Sequence, residues 1–166
     1  MRLVVAAIGR LKAGPERDLA TRYRERSAQM ARGLGFAGCD VVEIPESRAR
    51  RAPDRCAEEA AAILSHCGNA AAIVVYDERG RSDVTSPALA ERLAGWRDEA
   101  KPALVVVVGG PDGLDPSVRS RADLALSFGA ATLPHGLVRV LALEQVYRSL
   151  TILSGHPYHR GDPDEA

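Results

Sequence analysis

The chain has 166 residues, enough to bury one core unaided and too few for two ordinary domains with a linker. Hydrophobic residues make up 46% and charged residues 27%, which excludes a disordered chain, and no apolar run approaches the ~20 residues of a membrane helix. With 22 basic residues against 22 acidic ones the net charge is zero, so attraction to nucleic acid through bulk charge is excluded while a local basic patch is not.

Arg2 to Ile8 is a β-rich run bounded by Gly9, and a Gly14-Pro15 breaker leads into a charged, helix-prone stretch from Glu16 to about Arg32. Gly33, Gly35 and Gly38 mark a loop, after which Cys39 to Ile44 reads as a strand stopped by Pro45. Asp54, following Pro53, is the expected cap of a helix to about His66, with Glu58 and Glu59 near its positive end. The next strand is Ala71 to Tyr76. Ser86 as cap with Pro87 in the first helical position starts a helix to about Glu99.

Ala103 to Val108 carries no polar residue, the pattern of a central parallel strand covered on both faces. Asp115-Pro116 starts a short helix, Leu124 to Leu126 is a short strand, and a long apolar helix is expected from Gly136 to Ser154. Strands alternating with helices predict one α/β domain with a mostly parallel sheet and helices on both faces. The opening residues are too short and too soon interrupted for a signal peptide, which leads to the expectation of a cytoplasmic protein. Cys39, Cys56 and Cys67 are odd in number and widely spaced, so they read as reduced thiols.

Three clusters can carry chemistry. Gly109-Gly110-Pro111-Asp112-Gly113-Leu114 follows the most buried strand, where open α/β sheets bind ligands and where glycines admit close backbone approach. A plain tight turn uses the same residues, and the segment matches neither a dinucleotide nor a phosphate-loop motif. Phe128-Gly129-Ala130-Ala131-Thr132-Leu133-Pro134-His135 leaves room for a flat ring beside free backbone groups, or else is a tightly packed turn. His156-Pro157-Tyr158-His159-Arg160 brings together an aromatic ring, two imidazoles and a guanidinium, which can stack on a base, contact phosphate and exchange protons near neutral pH. No further ligands lie near His156 and His159 in sequence, so no metal is expected. Two basic runs, Arg22 to Arg26 and Arg48 to Arg55, are either solvated faces or RNA contacts.

These clusters, with Leu137-Val138-Arg139-Val140, Glu144, Gln145 and Tyr147-Arg148 between the last two, resemble the RlmH-type SPOUT methyltransferases in order and spacing. The resemblance is collinear over nearly the whole chain and includes the opening strand ending in Gly9 and Glu43-Ile44-Pro45. It implies a SPOUT fold with a C-terminal trefoil knot, an exception to the rule against threaded chains. A single domain over residues 1–160 is implied, with 161–166 a short acidic tail beyond the usual end of the family. The implied activity is transfer of the methyl group of S-adenosyl-L-methionine (SAM) to N3 of a pseudouridine in 23S ribosomal RNA, expected at pseudouridine 1915. The implied state is a homodimer acting on assembled 70S ribosomes. Carried over residue by residue, the cofactor pocket comprises Tyr76, Gly109, Phe128, Gly129, Ala130, Ala131, Thr132 and Leu133, and the catalytic set Arg139, His156, Tyr158, His159 and Arg160.

Overall fold

The apolar runs assemble into one sheet whose order places the longest of them at its centre. The computed structural model describes residues 1–69 and 71–159. Its elements are β1 (Arg2–Ile8), α1 (Pro15–Ala31), a 3-10 turn (Arg32–Leu34), β2 (Cys39–Ile44), α2 (Ala52–Cys67), β3 (Ala72–Arg81), α3 (Ser86–Asp98), β4 (Ala103–Val108), α4 (Pro116–Ser120), β5 (Leu124–Leu126) and α5 (His135–Leu153). The sheet order is β2-β1-β4-β3-β5 and every neighbouring pair is parallel. The α/β architecture expected from the alternation of runs is therefore observed.

Because side chains alternate across a strand, each central strand feeds two cores. On one face Leu3, Val5 and Ala7 of β1, Ala72, Val74 and Tyr76 of β3 and Leu104, Val106 and Val108 of β4 pack with residues of α1, α3 and α5. On the other face Val4, Ala6 and Ile8, Ile73 and Val75, and Val105 and Val107 pack with Ala60, Ile63 and Cys67 of α2 and Val118 of α4. Leu104, Val105 and Val107 have no exposed surface, as the uninterrupted apolar run requires. In α5, Ala142, Leu143, Val146 and Leu150 are buried against that first core, while Leu137 stays exposed.

Several boundaries differ from the sequence expectation. The second long helix begins at Ala52 with Arg51 as its cap, so Asp54 lies inside the first turn, where it pairs with Arg51 (2.7 Å). Thr85, not Ser86, caps α3: its hydroxyl accepts from the Ala88 amide (3.3 Å), and Pro87 moves one place into the helix. Asp115 does cap α4 as expected, accepting from the Ser117 amide at 2.8 Å. The largest departure is β3, which continues past Tyr76 through Asp77-Glu78-Arg79-Gly80 to Arg81. Both Tyr76 and Arg81 register against Leu126 of β5, so the intervening residues bulge out of the ladder. Gly80 makes this possible, because a Cβ there would run into the Leu126 backbone.

Candidate active site

Adjacent strands β3 and β4 are followed by helices on opposite faces of the sheet, which opens a crevice beyond their carboxyl ends. A cavity of about 380 Å³ occupies that crevice. Its floor is the strand ends, Tyr76, Val108 and Leu126; one wall is the glycine loop from Gly109 to Leu114; the opposite wall is the segment from Ser127 to Leu133, closed by His135 and Val138 at the start of α5. The β3 bulge supplies Asp77, Glu78 and Arg79 along the rim.

Each wall owes its path to small residues. A Cβ on Gly109 would sit 3.0 Å from the Leu114 side chain, and one on Gly110 2.9 Å from Ile8. Gly113 has a positive φ of 82°, the left-handed region that glycine alone enters freely. On the opposite wall the Ser127 hydroxyl ties its own turn, accepting from the Gly129 amide (3.1 Å) and donating to the Gly129 carbonyl (2.9 Å). Between the walls the rings of Tyr76 and Phe128 stack face to face, centroids 4.5 Å apart. Burial, then the nearby Glu144 charge, holds the Tyr76 phenol well above its ordinary range, so it stays neutral.

Charged groups fasten the cavity at its rim. The Asp77 carboxylate, 6% exposed, accepts from Arg119 (3.3 Å), whose same nitrogen also donates to the Leu114 carbonyl. Arg119 thereby links the end of β3 to the end of the glycine loop. Sequence patterning missed Asp77 and Arg119, because a charged stretch after a strand reads as solvated loop.

Of the expected cofactor residues, Tyr76, Gly109, Phe128, Gly129, Ala131, Thr132 and Leu133 all line this cavity, and Ala130 alone does not. The expected catalytic residues sit elsewhere. His156 is exposed, and its ring accepts from the Tyr158 amide (3.1 Å). Tyr158 packs edge-on to Tyr147, donates to Glu144 (3.0 Å) and lies 3.3 Å from the Tyr23 hydroxyl. His159 reaches Arg148 at 3.4 Å, and Arg148 also pairs with Glu144 (3.0 Å). Burial, followed by the bonds to Tyr23 and Glu144, raises the Tyr158 phenol above its usual range, so it acts as a donor at neutral pH. The Glu144 carboxylate belongs to this tail cluster and also acts on the Tyr76 phenol.

Arg139 is 1% exposed and belongs to neither group. Its guanidinium pairs with Glu43 (2.8 Å) and donates to the carbonyls of Ile8 and Gly9, both at 2.9 Å, beneath the turn that ends β1. Arg160 and the acidic tail 161–166 lie outside the described residues. Among the described residues no group of three or more histidine, cysteine, aspartate or glutamate side chains can hold a metal ion, and no helix is long and apolar enough to cross a membrane.

The family model described as predicted SPOUT methyltransferase matches residues 1–159. A ribosomal RNA large subunit methyltransferase H from Methylobacterium radiotolerans is 75% identical over 98% of this chain and 99% of its own length. The protein of the same name from Methylorubrum populi is 68% identical over 99% of both. Among solved structures, a probable methyltransferase from Bordetella pertussis covers 90% of this chain and 95% of its own at 12% identity, with a TM-score of 0.49.

Proposed function

The chain belongs to the SPOUT methyltransferase family, and we propose that it transfers the methyl group of SAM to N3 of pseudouridine 1915 in 23S ribosomal RNA, acting as a homodimer on assembled 70S ribosomes. Residues 1–160 form the single catalytic unit in this reading, and a ribosomal substrate places the work in the cytoplasm. The observation that carries it is the cavity beyond β3, β4 and β5. Its size falls within the roughly 300–1,000 Å³ of small-molecule sites, and its walls include Gly109, Gly110, Gly113, Gly129 and Ala131, with an aromatic pair between them. Relatives of nearly the same length bear the name of a large-subunit rRNA methyltransferase.

The residues present suit SAM. Gly109, Gly129 and Ala131–Leu133 offer backbone donors and acceptors to the polar edge of an adenine, and Phe128 on Tyr76 offers an apolar face to its ring. Bound there, SAM supplies an electrophilic methyl group. What remains for the protein is to hold the pseudouridine in line and to help its N3 imide lose a proton.

The tail cluster serves that second task. In this reading the His159 imidazole takes the N3 proton, while Tyr158 and Arg148, both bonded to Glu144, turn their donors toward the anion that develops. His156 and Arg160 complete the set. The tail reaches the cavity of the partner subunit in this reading. Arg139, buried beneath the β1 turn, acts by positioning rather than by contact.

Transfer of label from SAM to 70S ribosomes, separated subunits and transfer RNA tests the reading. The expected acceptor is the assembled ribosome; a folded protein that neither binds SAM nor transfers its methyl group overturns the proposal.

A further inference from the structure

The glycine loop is also gripped from outside the cavity, by an arginine that the reaction itself does not use. Arg55, near the start of α2, donates from Nε to Asp112 Oδ2 (2.7 Å) and from Nη2 to Asp112 Oδ1 (2.9 Å), a two-point fork on one carboxylate. Its Nη1 donates to the carbonyls of Ala49 and Arg50, each at 3.1 Å. One helical turn further, Glu59 is 5% exposed, accepts from the Ser47 amide (2.9 Å), and lies where a Cβ on Gly110 would come within 3.1 Å of it. With these two side chains α2 holds the segment before it on one side and the glycine loop on the other.

The loop needs such a hold. Gly109, Gly110 and Gly113 give its backbone wide conformational freedom, and a site that binds through backbone groups loses affinity if those groups must be ordered at the moment of binding. Asp112 lines the cavity and is the loop's one ionised side chain. We infer that Arg55 is a positioning residue for cofactor binding: its fork on Asp112 sets the path of Gly109–Gly113 before SAM arrives. The inference rests on the cavity being the SAM site. An ordinary partly exposed ion pair would instead add a little stability and leave affinity alone.

Calorimetric titration of the full chain with SAM separates the two, using Arg55→Ala, Asp112→Ala, the double variant, Arg55→Lys and the isosteric Asp112→Asn, each with its melting temperature. Each variant that breaks the fork should bind SAM roughly tenfold more weakly. The double variant should bind no more weakly than either single one, because both remove the same interaction. Lysine should not rescue, since an ammonium group cannot reproduce the fork. Amide hydrogen exchange at Gly110 and Gly113, without ligand, should quicken in the same variants. Wild-type affinity in folded Arg55→Ala or Asp112→Asn, or additive losses in the double variant, overturns the inference. Should the wild type itself fail to bind SAM, the cofactor reading falls and this inference falls with it.

Discussion

The ring of Phe128 lies on the ring of Tyr76 with an interplanar angle of 6°, joining the segment after β5 to the end of β3 across the candidate cofactor cavity. Tyr76 is 8% exposed and belongs to the core, whereas Phe128 is only partly buried. The pair therefore separates packing from binding. Phe128→Ala should weaken SAM binding by about tenfold with a small change in melting temperature, given the ~0.5–1.5 kcal/mol of an aromatic pair beyond its buried area. Tyr76→Phe keeps the stack and should bind SAM within about twofold of wild type. Fluorescence or calorimetric titration of both variants checks this; equal affinity in Phe128→Ala would remove the stack from the cofactor site.

The tail cluster should affect transfer without affecting cofactor affinity. Tyr158→Phe removes the donor to Glu144 and the contact with Tyr23, and His159→Ala removes the imidazole beside Arg148. Each should lower methyl transfer by about a hundredfold, the scale of a lost general acid or base, while SAM binding stays unchanged. Single-turnover transfer beside equilibrium binding reads the two separately. Loss of SAM binding in both variants would assign the tail to the cofactor instead.

Gly80 should tolerate no side chain. Its replacement by alanine drives a methyl group into the backbone of Leu126, where β5 meets the return of β3. A loss of more than about 2 kcal/mol is expected, with the bulge that carries Asp77 displaced. Urea denaturation of Gly80→Ala beside Gly95→Ala, where open space surrounds the new methyl, provides the control. Near-equal stability of the two variants would show that the bulge relaxes freely.

Glu59 should give the stability a pH dependence, with its sign set by burial of the carboxyl. Burial, the largest influence, pushes its carboxyl above the ordinary value of 4.5, and the bond from the Ser47 amide offsets this only in part. A group whose pKa is raised on folding favours the native state fully below its unfolded value, and that advantage is lost as pH rises through the folded value. Glu59→Gln, which keeps the acceptor for Ser47, should therefore melt higher than wild type at neutral pH. The difference should close as pH falls to about 4. A gap that widens in acid would mean that the carboxylate, not the acid, is the preferred native form.

The sheet was legible in the sequence because it follows from local pattern, whereas the two cavity walls were legible only through the family resemblance, since a plain tight turn uses the same small residues. Ala103–Val108 had to be a covered central strand, and the glycine loop that follows it lies at the carboxyl edge of the sheet, where it lines the cavity. The continuation of β3 was not legible. Asp77-Glu78-Arg79 carries no apolar alternation, and its course depends on how closely Gly80 approaches Leu126 in a different strand. The burial of Arg139 was equally hidden, since its partners Glu43, Ile8 and Gly9 come from β1 and β2 at the far end of the chain. The Arg55–Asp112 fork spans 57 positions, a distance over which no periodicity carries information. The gathering of Tyr23, Tyr147 and Tyr158 is likewise a product of α1 packing on α5.

Mapping the methylated nucleoside tests the central claim most directly. Ribosomes lacking the modification would be incubated with the protein and labelled SAM, and the 23S RNA digested for mass spectrometry of the labelled fragment. The account predicts one labelled nucleoside, N3-methylpseudouridine at position 1915. Label on another base, or in transfer RNA alone, would contradict it.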